Sequence, residues 1–147
     1  MIPISVPCHR TTMRFLLPEA NYLGTFVAHG EPAVDDPAAE VRRALAQPIG
    51  LPRLAELTEN AKTCVIICSD HTRPVPSRYI IPAMLAELRH GNPTIDVTLL
   101  VATGCHRETT REELVGKFGP DIVEREKIAV HDCGDTAMVP SRSEPCV

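Results

Sequence analysis

Two short stretches carry residue types that do chemistry. Residues 69–78 read SDHTRPVPSR and set an acid, an imidazole, a hydroxyl and a guanidinium in a row as Asp70, His71, Thr72 and Arg73. Residues 103–110 read TGCHRETT, with His106 two places after Gly104 and Arg107 beside it. A connecting turn needs only Gly, Asn or Pro to set its backbone, so the first stretch is over-equipped for a link. Arg73 offers a planar fork of donors that suits phosphate or carboxylate. A helix following it adds N-terminal N–H groups and the positive end of a dipole, which makes an anion site. Asp70 can accept from ribose hydroxyls or orient Arg73, and Thr72 can add a hydroxyl and a backbone N–H. Gly104 lets the backbone approach a ligand closely. His106 is the candidate general base, since an unperturbed imidazole titrates at about 6.5 and both takes and returns a proton near neutral pH.

Plainer readings stand beside these. Asp70 and Arg73 can simply pair with each other and cap the helix, and a lone histidine after a strand can be a satisfied polar residue. His71, His131 and Asp132 also read as structural, and His9, His29 and His90 as solvated.

The elements that must position these loops follow from periodicity. TCVIIC (63–68) and DVTLLVAT (96–103) are short apolar runs of the kind found in strands buried on both faces, and KIAVHD (127–132) is a third strand. Between the first two, Ile80, Ile81, Met84, Leu85 and Leu88 recur at helical spacing. Pro82 argues for a helix starting or bending near Tyr79, and Gly91 stands where a C-terminal cap belongs. Thr110 and Glu113 form a capping box for REELVGKF, which Gly119 closes. Upstream, Asp36 and Pro37 open a helix over AAEVRRALAQ, ended by Pro48, and LPRLAELTENA gives a shorter one. TMRFLL (12–17) and YLGTFVA (22–28), on either side of PEAN, read as a β-hairpin.

Strands alternating with helices in this way give an α/β fold, a parallel doubly wound (Rossmann-like) sheet with an N-terminal β-hairpin. Ligands of such sheets bind beyond the carboxyl ends of the strands, where both decorated loops fall. One domain is expected over residues 1–133, and 134–147, broken by Gly134, Pro140 and Pro145, reads as an irregular tail.

Composition narrows the partners. Fifteen Lys and Arg against nineteen Asp and Glu give a net charge of −4 without a basic block, which argues against a sequence-independent grip on nucleic acid and for a small-molecule partner. No apolar run reaches the roughly 18 residues that span a bilayer. The start, MIPISVPCHRTTMRF, has no secretory pattern, so a cytoplasmic chain is expected. None of the six cysteines falls in C-x-x-C spacing. Cys64 and Cys68, four apart on a strand, would have Cα atoms roughly 13 Å apart, beyond the ~7 Å reach of a disulfide. Buried free thiols are expected. A Cys/His metal site from Cys105, His106, His131 and Cys133 matches no zinc spacing.

Taken together, D-x-T-R-P in one strand-end loop and T-G-x-H-R in the next are more specific than either alone. PIGLPRLAEL, SDHTRPVPSRYIIPAMLAELRHGNP, LLVATGCHRETTREELVGKFG and HDC resemble the N-terminal domain of the nickel-pincer lactate racemase family, over about residues 12–133. The resemblance implies interconversion of D- and L-2-hydroxy acids such as lactate. The cofactor would be the nickel-pincer nucleotide, a nickel pyridinium-3,5-bisthiocarboxylic acid mononucleotide. A histidine would take the hydroxyl proton while the carbon-bound hydrogen moves as hydride to the cofactor. Asp70, His71, Thr72 and Arg73 match the cofactor-contacting segment, with Arg73 also able to steady a substrate carboxylate. His106 matches one of two proton-transferring histidines. The second of these, the lysine that tethers the cofactor and the histidine that ligates nickel lie further along the family's chain than Val147, so no residue here is assigned to metal. A sheet incomplete at the C-terminus, inactive alone, is therefore expected. The other reading is a non-catalytic α/β module for phosphate or nucleotide, built on Arg73 and the following helix.

Overall fold

A computed structural model describes residues 1–135. The predicted tail from 136 onward, with Pro140, Pro145 and Cys146, lies outside the described residues. The chain divides into two compact units, Met1–Ala33 and the residues from Val34.

In the first unit, β1 (Ile2–Cys8) and β2 (Thr11–Leu17) form an antiparallel pair joined by His9 and Arg10. The predicted hairpin is therefore corrected. TMRFLL is a strand, but its partner lies before it, and 22–28 contains no strand. Pro3 and Pro7 hide β1 from a propensity reading, yet proline is tolerated on an edge strand, and both strands of a two-stranded sheet are edges. The turn has no glycine either. His9 itself takes the left-handed conformation at φ 54°, which a non-glycine residue adopts uncommonly. Ile2, Ile4 and Val6 stand opposite Leu17, Phe15 and Met13, giving the hairpin one apolar face.

The second unit begins with α1 (Pro37–Ala46), capped as predicted by Asp36, whose carboxylate accepts from the Ala39 amide at 2.9 Å. Next come α2 (Leu54–Thr58) and β3 (Thr63–Ser69). Then α3 runs Ser77–Gly91, so it starts before Tyr79 and carries Pro82 inside it. Gly91 is still helical and Asn92 caps the end, its amide donating to the Leu88 carbonyl at 2.9 Å. Packing explains the glycine: a Cβ at position 91 would run into the Ala55 backbone, so α2 lies hard against the end of α3.

After β4 (Asp96–Ala102) come α4 (Arg111–Phe118), a further short helix α5 (Pro120–Arg125) that periodicity did not pick out, and β5 (Lys127–Val130). The capping box on α4 is complete. The Glu113 amide donates to Thr110 Oγ1 at 3.3 Å, and the Thr110 amide donates to Glu113 Oε2 at 2.9 Å. Thr110→Ala is expected to cost about 1 kcal/mol, read as a fall in the midpoint of urea unfolding.

β3, β4 and β5 lie side by side, all parallel, with Ile66 against Leu99 and Leu99 against Ile128. Parallel crossovers are right-handed, so two that step the same way put their helices on the same face. On that face Ile66, Val97, Leu99 and Val101 meet Ile81, Leu85 and Leu88 of α3 and Leu114 and Phe118 of α4 in one buried cluster. The opposite face is open: Val65 is 58% and Ile67 72% exposed. This corrects the expectation of strands buried on both faces. The apolar runs are real, but this stretch of chain supplies helices to one side. Among the described residues, no helix is long and apolar enough to cross a membrane.

Candidate functional site

The register sets Ser69 beside Ala102, so the loops leaving β3 and β4 emerge together at the carboxyl edge of the sheet. There Asp70, 2% exposed, reaches His106 across the gap, with Oδ2 2.5 Å from Nδ1. Asp70 Oδ1 accepts from the Thr72 hydroxyl at 2.7 Å and from the Thr72 amide at 3.2 Å. The Thr72 hydroxyl first, and His106 after it, hold the Asp70 carboxyl well below the ordinary carboxylate range. A carboxylate only accepts, so Nδ1 of His106 carries the proton and Nε2 is left free. The His106 side chain remains 45% exposed, and the dyad is open to a ligand.

The dyad borders a cavity of about 530 Å³ whose walls include Ser69, Arg73, Gly104 and Cys105. Three features of this cavity fit an anionic, nucleotide-like group. Ser69 Oγ is buried without a hydrogen-bond partner among the described residues. The Arg73 guanidinium pairs with no carboxylate there. Gly104 sits at φ 59° with open space where a Cβ would stand, so backbone conformation rather than crowding asks for glycine, and the loop presents bare main chain to the cavity. A metal is a different matter. No group of three His, Cys, Asp or Glu side chains among the described residues could hold an ion, and Cys105, His106, His131 and Cys133 form no such group.

The predicted residues therefore separate. Asp70, Thr72 and His106 form one hydrogen-bonded unit, and Asp70 does not pair with Arg73 as the plainer reading had it. His71 turns the other way, its Nδ1 3.2 Å from Thr109 Oγ1 and 3.6 Å from Glu113 Oε2. His131 has a partner after all: Thr103 Oγ1 donates to its carbonyl at 2.6 Å and lies 3.2 Å from its Nδ1. That contact ties the end of β5 to the start of the His106 loop. The five described cysteines are free, but Cys8, Cys105 and Cys133 are exposed, and of the five only Cys68 is buried. Burial pushes the Cys68 thiol up, which makes it a poor nucleophile. A comparable cavity of about 550 Å³ between α1 and α3 lies away from the strand ends. Arg53 on its wall is paired with Glu87 at 2.7 Å.

Glu113 is a residue that sequence reading used only as a cap. Its carboxylate also takes both terminal nitrogens of Arg107, at 2.6 and 2.9 Å. Arg107 above all, with the Thr110 amide, brings its pKa down to about 2. A carboxyl depressed on folding stabilises above its unfolded pKa and loses that contribution as pH falls through the folded one. Glu113→Gln is therefore expected to melt below the parent at pH 6, with the gap closing between about pH 4.5 and pH 2 in thermal melts. Ser69 was legible as the first residue of the decorated loop. Its orphan status was not, because that depends on what packs around it.

The chain's relatives bear on this geometry. A family model described as the lactate racemase N-terminal domain matches residues 8–140. A lactate racemase of Thermoanaerobacterium thermosaccharolyticum is 43% identical over 134 residues, covering 90% of this chain and 32% of that protein. One of Lactiplantibacillus plantarum is 40% identical over 142 residues, covering 95% and 34%. The solved lactate racemase apoprotein of T. thermosaccharolyticum superposes with a TM-score of 0.73 over 89% of this chain and 30% of its own. The chain thus spans about a third of the length of the curated relatives it matches. Since the match takes in both strand-end loops and the sheet that carries them, the chain belongs to the lactate racemase N-terminal domain family.

Proposed function

We propose that this chain supplies the cofactor-contacting loop and one of the two proton-transferring histidines of a 2-hydroxy acid racemase, with lactate as the type substrate. The observation that carries the reading is the contact of Asp70 with Nδ1 of His106 across adjacent parallel strand ends. Asp70, steadied by Thr72, fixes the tautomer, and Nε2 takes the substrate hydroxyl proton and returns it. Arg73, uncompensated at the cavity wall, steadies the substrate carboxylate. Ser69 and Arg73 would line the seat of a nickel-pincer nucleotide, with nickel ligated from elsewhere in the protein. When bound, that nucleotide supplies the acceptor for the carbon-bound hydrogen.

The test is a chimera in which this chain replaces the matching third of the T. thermosaccharolyticum lactate racemase. Loaded with cofactor, the chimera is expected to abolish the optical rotation of L-lactate, and the 147-residue chain alone to leave it unchanged. A folded, loaded chimera without activity, or turnover by the chain alone, overturns the reading.

A further inference from the structure

On the other side of Arg73 from the dyad lies a second cavity, about 460 Å³, between the start of α3 and α4. Arg73, Arg78 and Lys117 bring three permanent positive charges to its walls, and His71 stands beside them. Their contacts leave that charge uncompensated. Lys117 Nζ donates to the Arg73 carbonyl at 3.2 Å and Arg78 Nη2 to the Gly116 carbonyl at 3.3 Å, which are dipoles rather than counter-ions. The carboxylate on this wall, Glu113, is already engaged by Arg107. Ser77, the first residue of α3, lines the same cavity and is 4% exposed. Its hydroxyl makes no hydrogen bond among the described residues, and α3 has no side-chain cap. That hydroxyl opens onto the cavity at the positive end of a fifteen-residue helix, among cations, with a donor and acceptor free for a ligand.

The group that satisfies all of these at once is small, doubly negative and rich in acceptors. A carboxylate, with one charge and two oxygens in a plane, leaves at least one cation unmatched. We propose that the Ser77, Arg78 and Lys117 pocket, with Arg73 as its shared wall, seats a phosphate monoester. This goes beyond the proton-transfer reading and does not need it, since none of the three residues touches the dyad.

The experiment titrates the 147-residue chain with inorganic phosphate, nicotinamide mononucleotide and nicotinamide riboside, by calorimetry and by amide chemical shifts. Phosphate is expected to move the amides of Ser77, Arg78 and Lys117. The mononucleotide is expected to bind about tenfold or more tighter than the riboside, as charge-assisted bonds to its phosphate imply. Arg78→Gln combined with Lys117→Gln is expected to weaken phosphate about tenfold. Ser77→Ala, which removes no cap and no packing atom beyond the hydroxyl, is expected to weaken it less but in the same direction. His106→Gln is expected to leave phosphate affinity unaltered, so failure of the dyad and failure of the pocket are read separately. Phosphate affinity unchanged in Ser77→Ala and in the Arg78/Lys117 pair, with native circular dichroism, overturns the proposal. So does a phosphate response confined to Gly104–His106, or no response at all.

Discussion

His106→Gln in the loaded chimera is expected to lower racemisation of lactate by about 10²- to 10⁴-fold, the range general acid–base catalysis contributes. Glutamine keeps a polar group of similar reach but takes no proton, so the loss reads chemistry rather than shape. Asp70→Asn should fall nearly as far, because the amide no longer forces the proton onto Nδ1, and a wrong tautomer leaves Nε2 unable to accept. The neutral tautomer can be seen directly in the imidazole ¹⁵N shifts of His106. They should report Nδ1–H in the parent and a mixture in the variant. The decisive measurement is the double variant. Members of one catalytic unit are strongly non-additive, so Asp70→Asn with His106→Gln should be no slower than His106→Gln alone. If the two losses multiply, Asp70 acts on something other than His106, and the cofactor contact suggested by its motif becomes its main role.

Phe118→Ala is expected to be the most damaging change to the fold, at about 3–5 kcal/mol for a fully enclosed aromatic. Phe118 ends α4, is buried, and lies in the cluster between the sheet and α3. Whole domains are stable by roughly 5–15 kcal/mol, and this unit packs a single side of its sheet. Most of the chain should therefore be unfolded at modest urea. Ile67→Ala removes an aliphatic side chain from the same sheet, yet Ile67 lies on the open face, and a change of no more than about 0.5 kcal/mol is expected. Equilibrium urea unfolding of both variants checks the contrast. Equal losses would mean that the two faces are packed alike in solution.

The sheet, its three strands and the caps at Asp36 and Thr110 were legible because each is written locally, in an apolar run or a residue at a fixed offset. The hairpin misled for an equally local reason: prolines in β1 and a histidine in the turn contradict strand and turn preferences, and only the pairing with β2 overrides them. At the site, the residue types and their two loops were legible, while the partnerships were not. Nothing in SDHTRP says that Asp70 looks to His106, thirty-six residues away, or that His71 looks instead to Thr109. Those choices follow from the β3–β4 register. Arg78 and Lys117 carried no signal at all, since α4 delivers the lysine to its place only after the crossover is made.

The strand order has a consequence for how the protein is made. β3 pairs with β4, and β4 with β5, so each strand's partner is the next one the ribosome delivers. Among the described residues each parallel pairing is between strands consecutive in the chain, which keeps loop-closure distances short for a parallel sheet. The dyad is complete once β4 and its loop have emerged, and His131 then locks that loop from the end of β5. On this topology the groups that make the Asp70–His106 contact are delivered in the order in which the strands are read, so the contact can form during synthesis.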